Sequence, residues 1–290
     1  MNPYQYKPLE GLLNIKIEQI SNADIVSVFD YVEKSINASP KGRAKELALL
    51  FYLINILNKS KLPFYVKGGI VNQYYLKEKA RPTKDLDLLT PLNGEEFYHL
   101  LENYLSNIDD PFAFKITKFK SIPADEYYYY DTFNIEIVVY YNHQPYSTLT
   151  IDAVSVRFFD EIQPIKYRGP SFIEDHFTFL GVPKEYVLAE KITAITNELK
   201  RPYKHLIDVY GYIHGDIAIN LLKKYLLIIC NNDNQIRESL NKETKNYHYH
   251  INEDKVFADS YFLPTLQVGY TETFEEMKKE VNEWLDKNLD

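Results

Sequence analysis

The chain of 290 residues holds one cysteine, Cys230, one tryptophan and two methionines. A single thiol excludes an internal disulfide framework and any zinc site built on several cysteines. Glycine and proline are also scarce, at 10 and 14 residues, too few for a fibrous or low-complexity chain. No apolar run approaches the roughly 20 residues that cross a bilayer as a helix, so no membrane is expected to be a partner. The opening segment MNPYQYKPLEGLLNIKIEQ lacks a basic stretch followed by an apolar one. It therefore predicts no secretory leader, and a cytoplasmic location is expected. Cations are in the minority, 33 Lys and Arg against 41 Asp and Glu, for a net charge of −8. That balance argues against a protein that coats nucleic acid over its whole surface, and leaves a local grip on phosphates open.

What is present is a large apolar fraction, 45% of residues, and 26 tyrosines alongside many Asn, Lys and Ile. AT-rich codon usage gives such a set, and stacking of bases on tyrosine is the alternative. Apolar residues three and four apart predict helices over Ile25–Ile36 and Ala44–Leu57, with Ser39-Pro40-Lys41-Gly42 breaking between them. Phe64-Tyr65-Val66 reads as a short buried strand running into Gly68-Gly69, and Ile70–Leu76 as a helical turn or two. Asp85-Leu86-Asp87-Leu88-Leu89 alternates as a half-buried strand. Gly94–Leu105 is an amphipathic helix for which Asn93 is a fitting cap. Lys115–Arg157 is rich in aromatic and β-branched residues, with strands expected over Tyr127–Tyr130, Phe133–Tyr141 and Thr148–Arg157 and a loop at Asn142-His143-Gln144-Pro145. A Pro/Gly-bearing connector follows. Helical patterns then return at Tyr186–Leu199, Tyr203–Ile213, Ile217–Ile229 and Phe274–Leu289, with a polar loop expected over Asn231–Asp259. No internal repeat is visible.

One segment carries chemistry: Phe64-Tyr65-Val66-Lys67-Gly68-Gly69, followed by Arg81-Pro82-Thr83-Lys84-Asp85-Leu86-Asp87-Leu88. A Gly-Gly pair between a strand and a helix lets the backbone approach a phosphate, and the helix N-terminus offers free N–H groups. Asp85 and Asp87, two apart on a strand, share a face. Two carboxylates there suit a hard divalent cation, Mg²⁺ above all, with Mn²⁺ as the substitute. A third acid is expected from a neighbouring strand. Asp152 in Leu149-Thr150-Ile151-Asp152-Ala153 is the leading candidate, and Glu136 in Ile135-Glu136-Ile137 competes with it. Singly, a Gly-Gly pair is most often a turn and Asp-x-Asp a solvated face. In this order they form the layout of the nucleotidyltransferase (polymerase β-like) superfamily, which the sequence resembles.

A second segment runs from Tyr186 through Leu188-Ala189-Glu190-Lys191-Ile192-Thr193-Ala194 to Lys200-Arg201-Pro202-Tyr203-Lys204-His205-Leu206-Ile207-Asp208-Val209-Tyr210. On a helix Lys191 falls among Val187, Leu188 and Ile195, where it either packs its stem or meets buried acids. Asp208 either pairs with Lys204 or faces inward. Together, Lys-Gly-Gly, Arg-x-Thr-x-Asp-x-Asp, the strand Ile-Asp, Leu-Ala-Glu-Lys-Ile-x-Ala and the downstream basic-then-Asp element resemble the AbiEii/MenT family, nucleotidyltransferase-like toxins of type IV toxin–antitoxin systems. The resemblance runs from about Phe64 to Ile213. It implies an NTP substrate, a tRNA 3′ end as acceptor and a cognate antitoxin as partner. By position it implies that Lys67, Gly68, Gly69, Arg81, Thr83 and Lys191 bind the nucleotide. It also implies that Asp85, Asp87 and Asp152 bind the metal, with Lys191 and Asp208 completing the catalytic set. Thr83 stands where Ser is frequent, and His205 where an acid is expected.

The resulting expectation is an α+β fold, a nucleotidyltransferase-like mixed sheet with helices plus a helical C-terminal half. Residues 1–165 would hold the N-terminal helices and the α/β domain, and residues 166–290 a mainly helical domain that completes the active site. Lys184, Lys200, Arg201 and Lys204 would offer a local phosphate track. The Gly-Gly and Asp-x-Asp stretch also resembles the CCA-adding tRNA nucleotidyltransferases. That family usually has Arg-Asp in the helix after the glycines, where Asn72-Gln73 stand here. A protein or small-molecule acceptor, and a nucleotide-binding module without turnover, are the alternatives.

Overall fold

The computed structural model describes residues 8–15, 24–36, 42–123, 130–196, 203–251 and 269–289. Three helices lead: α1 (Pro8–Asn14), α2 (Ile25–Ser35) and α3 (Arg43–Ser60). Asp24 caps α2 by accepting the N–H groups of Val26 and Ser27, each at 3.1 Å. α3 is apolar on nearly every side and is buried as such, from Leu47 to Leu57. It packs on both α1 and α2.

The sheet begins at β1 (Tyr65–Val66), which leads directly into α4 (Gly68–Leu76); β2 (Asp85–Thr90) and α5 (Gly94–Asn107) follow. Asn93 and Glu96 form a reciprocal cap on α5, with Glu96 N–H to Asn93 Oδ1 at 3.0 Å and Asn93 N–H to Glu96 Oε2 at 3.3 Å. Such a cap is worth about 1 kcal/mol. Three long strands come next, β3 (Ala113–Ile122), β4 (Asp131–Tyr141) and β5 (Gln144–Ser155). The β4–β5 connection is shorter than the pattern suggested. Asn142 and His143 both take left-handed backbone angles, φ 49° and 62°, the two-residue turn whose twist matches the strands it joins. Gln144 and Pro145 already belong to β5.

The expected connector after residue 157 is in fact two more strands, β6 (Ile165–Arg168) and β7 (Thr178–Gly181). The seven strands lie in the order β3-β4-β5-β2-β1-β7-β6. β2 runs parallel to β5 and β1 parallel to β7, while the other neighbours are antiparallel. This is the mixed sheet that the sequence implied.

Among the described residues four helices follow the sheet: α6 (Lys184–Thr196), α7 (Tyr203–Ile213), α8 (Ile219–Ser239) and α9 (Phe274–Leu289). α6 packs against α7 and α8, α7 against α9, and α4 reaches across to both α6 and α7. Phe274, Met277, Val281 and Leu285 are all buried, as their spacing on α9 required. α8 runs ten residues past the apolar stripe that ends at Ile229. Its period continues there in polar side chains, because Asn232 and Asp233 are buried too. Strand residues 127–129 and loop residues 252–259 of the sequence reading lie outside the described residues.

Much of the tyrosine excess is structural. Tyr52, Tyr74 and Tyr167 bury their rings and place the hydroxyl on Asp110, the Arg168 carbonyl and the Val182 carbonyl. A buried phenol needs such a partner, which these supply.

Candidate active site

The glycine turn and the acids meet because β1 and β2 are antiparallel neighbours. Lys67 N–H donates to the Asp87 carbonyl at 2.9 Å, which brings the start of α4 beside the acid-bearing end of β2. Gly68 has φ +61°, and a Cβ there would lie 2.1 Å from Asp87 Oδ2. A Cβ on Gly69 would lie 2.3 Å from Thr83 Oγ1. Only glycine fits at either place, and at Gly68 the backbone angle demands it as well. The close approach is used: Gly69 N–H donates to Asp87 Oδ2 at 3.1 Å. Thr83 Oγ1 donates to the Asp85 carbonyl at 3.0 Å and so braces the entry to β2.

Asp85 and Asp87 share one face of β2, and across the parallel pairing Asp87 stands opposite Asp152 of β5. Asn134, the partner of Asp152 on β4, donates its amide to Asp152 Oδ1 at 2.5 Å. Burial pushes the Asp87 carboxyl above its ordinary value, Lys67, the Gly69 N–H and Lys191 pull it back, and the Asp152 charge adds to the rise. Burial and a like charge both disfavour ionisation there, a condition that a bound divalent cation relieves. Glu136 is settled differently: it holds Thr117 at 2.9 Å and Lys118 at 2.9 Å on the outside of the β3–β4 pair.

The helical half supplies the cations' partners. Asp208, with 0% exposure, accepts a two-pronged contact from Arg81, Nε at 2.9 Å and Nη2 at 2.7 Å. Lys191 Nζ lies 2.8 Å from the same carboxylate. Asn72 donates to it at 3.4 Å and in turn accepts from the Tyr212 hydroxyl at 2.8 Å. Burial pushes the Asp208 carboxyl up, but Lys191 and Arg81 outweigh it and hold the group well below the ordinary carboxylate range. Lys67 is tied likewise, its Nζ 2.7 Å from Glu190 Oε1. Of the readings open for Asp208, these contacts fit the inward-facing one.

A cleft of about 510 Å³ joins these parts. Lys67, Gly68, Gly69, Arg81, Thr83, Asp85, Asp87, Asp152 and Lys191 all line it. Asp208 stands behind its wall, out of contact with the opening, and His205 lines it with Nδ1 3.5 Å from Lys191 Nζ. Lys184 is directed elsewhere, onto the Asp216 carbonyl. Lys200 and Arg201 lie outside the described residues, as does the Lys204 side chain. Among the described residues no three His, Cys, Asp or Glu side chains are grouped so as to hold a metal ion by themselves. The facing pair Asp87 and Asp152 still fits Mg²⁺, which is commonly held by one or two carboxylates together with substrate phosphates. Asn134 and Glu190 are the site residues that sequence reasoning passed over. Asn134 carries no charge to mark it, and Glu190 was visible only as a member of the Leu-Ala-Glu-Lys run.

The cleft thus sets sheet-borne acids beside a glycine turn, with Lys191 of α6 on its wall. The nucleotidyltransferase toxin MenT4 of Mycobacterium tuberculosis has a similar fold, with 15% identity, 86% of each chain covered and a TM-score of 0.52. JHP933 of Helicobacter pylori matches at 13% identity over 83% of this chain and 92% of its own, with a TM-score of 0.40. No curated protein matches by sequence. The family model for the nucleotidyl transferase AbiEii toxin of type IV toxin–antitoxin systems matches residues 50–287. The chain belongs to that family.

Proposed function

We propose that the protein transfers a nucleoside monophosphate from an NTP to a hydroxyl, with a tRNA 3′ end as acceptor and Mg²⁺ (or Mn²⁺) held by Asp85, Asp87 and Asp152. The observation that carries this reading is the absence of room for any side chain at Gly68 and Gly69 beside Asp87. A turn cleared of side chains next to carboxylates is suited to a phosphate that must touch both.

In the reaction the acceptor oxygen attacks the α-phosphorus, the bond to the bridging oxygen breaks, and pyrophosphate leaves. The N-terminus of α4 presents backbone N–H groups to the phosphates, and Lys67, Arg81 and Lys191 add positive charge. Asp152, oriented by Asn134, takes the proton of the attacking hydroxyl. A cation held there would supply charge neutralisation on the phosphates and would make that hydroxyl more acidic. Asp208 acts through others, as a positioning residue that holds Arg81 and Lys191 at the cleft wall. Such chemistry asks the protein chiefly for placement and electrostatics. The helices from Lys184 onward close the site, whereas residues 166–181, expected in the helical half, contribute to β6 and β7 of the sheet; a cognate antitoxin in the cytoplasm restrains the enzyme.

The test is incubation of the protein, and of its Asp85→Ala/Asp87→Ala variant, with Mg²⁺, total tRNA and each α-labelled NTP. Label on tRNA with the intact protein alone is the expected result. Label on protein or a small molecule overturns the acceptor, and no label anywhere overturns the activity. Growth arrest on expression, relieved by a neighbouring gene product, tests the antitoxin.

A further inference from the structure

The lining of the cleft also takes in Tyr130, Val187 and Thr193, with Ile229 and Asp233 of α8. Val187 and Ile229 are apolar and buried. The Tyr130 hydroxyl and Thr193 Oγ1 are both enclosed and have no hydrogen-bond partner among the described residues. Thr193 is only 8% exposed and is among the residues that line the cleft. Buried hydroxyls are normally satisfied, and an exception in a cleft points to a ligand that completes them. Asp233, 1% exposed, sits beside them, with Arg237 Nε at 3.4 Å. The Tyr130 phenol is close enough to Glu190 and Asp233 to feel both charges, which add to burial in raising its pKa.

We infer that Tyr130, Thr193 and Asp233 form the nucleobase subsite of this cleft and select bases that carry an exocyclic amino group. The inference rests on the nucleotidyl-transfer reading, which places the triphosphate at the glycine turn. Part of the lining is cations, carboxylates and bare backbone, suited to phosphates. Another part combines an aromatic ring, two aliphatic side chains and a few polar atoms, the composition that takes a flat heterocycle. A carboxylate paired with arginine accepts hydrogen bonds and donates none. It therefore favours adenine, cytosine and guanine, which offer an exocyclic amino N–H, over uracil, which has no amino group and offers only its ring N3–H. A base lacking the matching group leaves the site's polar atoms unpaired, the condition under which discrimination is greatest.

The test compares binding of inorganic tripolyphosphate and of the four NTPs to the full chain, together with transfer from each NTP. The wild type is expected to bind at least one amino-bearing NTP tenfold or more tighter than UTP, and tighter than tripolyphosphate. Asp233→Asn, whose amide can donate, should shrink that ratio about tenfold while tripolyphosphate binding stays the same. Thr193→Val and Tyr130→Phe keep shape and ring, and should each weaken the preferred NTP several-fold. They decide the matter if Asp233→Asn does not fold. NTPs that bind no tighter than tripolyphosphate overturn the subsite, as do variants that leave the base ratios unchanged or alter only acceptor use. Base-selective binding without transfer to any acceptor would instead sustain the subsite and sink the proposed reaction.

Discussion

Replacing Asp208 with asparagine keeps the size of the side chain and removes its charge, which leaves Arg81 and Lys191 facing a neutral amide. The carboxylate has 0% exposure, and the side chains of Lys191 and Arg81 are 10% and 21% exposed, so water compensates little. Removing one partner of a buried ion pair costs roughly 3–5 kcal/mol. For a chain of this size that lowers the melting temperature by about 10 °C. The pH dependence follows from the depressed pKa of Asp208. A carboxyl whose folded pKa lies below its unfolded value stabilises fully above the unfolded value, about 3.9. That stabilisation fades only as pH falls through the depressed folded value. Calorimetry on wild type and Asp208→Asn should give a gap that is flat from pH 8 to 5 and closes only under stronger acid. Equal melting temperatures at neutral pH, or a gap that closes between pH 7 and 5, would refute the reasoning. A variant that also carries Arg81→Met should regain part of the stability and none of the NTP affinity, which separates the structural role from the positioning one.

Gly68→Ala forces an ordinary residue into a left-handed angle at about 1–2 kcal/mol and drives a methyl into Asp87. Titration calorimetry should show NTP affinity reduced more than tenfold with the helical circular dichroism retained, and normal affinity would contradict the account of the turn. Asn134→Leu withdraws the donor that fixes Asp152. Steady-state kinetics should show kcat about tenfold lower with KM for NTP little changed, since an oriented proton acceptor contributes to turnover rather than to binding. An unchanged kcat would remove Asn134 from the site.

The legible parts of the fold were those in which a local period or a local cap decides the outcome. Asn93 and its helix, the alternation of β2 and the stripe on α9 each follow from neighbours a few residues apart. β6 and β7 did not, because four residues are too few to show a period, and β7 is fixed by Val66 more than a hundred positions earlier. The end of α8 was hidden for a different reason: polar Asn232 and Asp233 occupy buried positions where apolar residues would have announced the helix. In the site, the placing of Asp85, Asp87 and Asp152 on strands could be read from residue type and strand spacing. The pairings Arg81–Asp208, Lys67–Glu190 and Asn134–Asp152 are products of packing, and complementary charge alone does not say which acid meets which base.

These long-range pairings bear on the making of the protein. Lys67 and Arg81 leave the ribosome well ahead of the carboxylates that steady them, which arrive only with Glu190 and Asp208. A nascent chain or a truncated fragment that ends before residue 190 thus carries the glycine turn, Asp85, Asp87 and Asp152 while neither cation has its carboxylate partner.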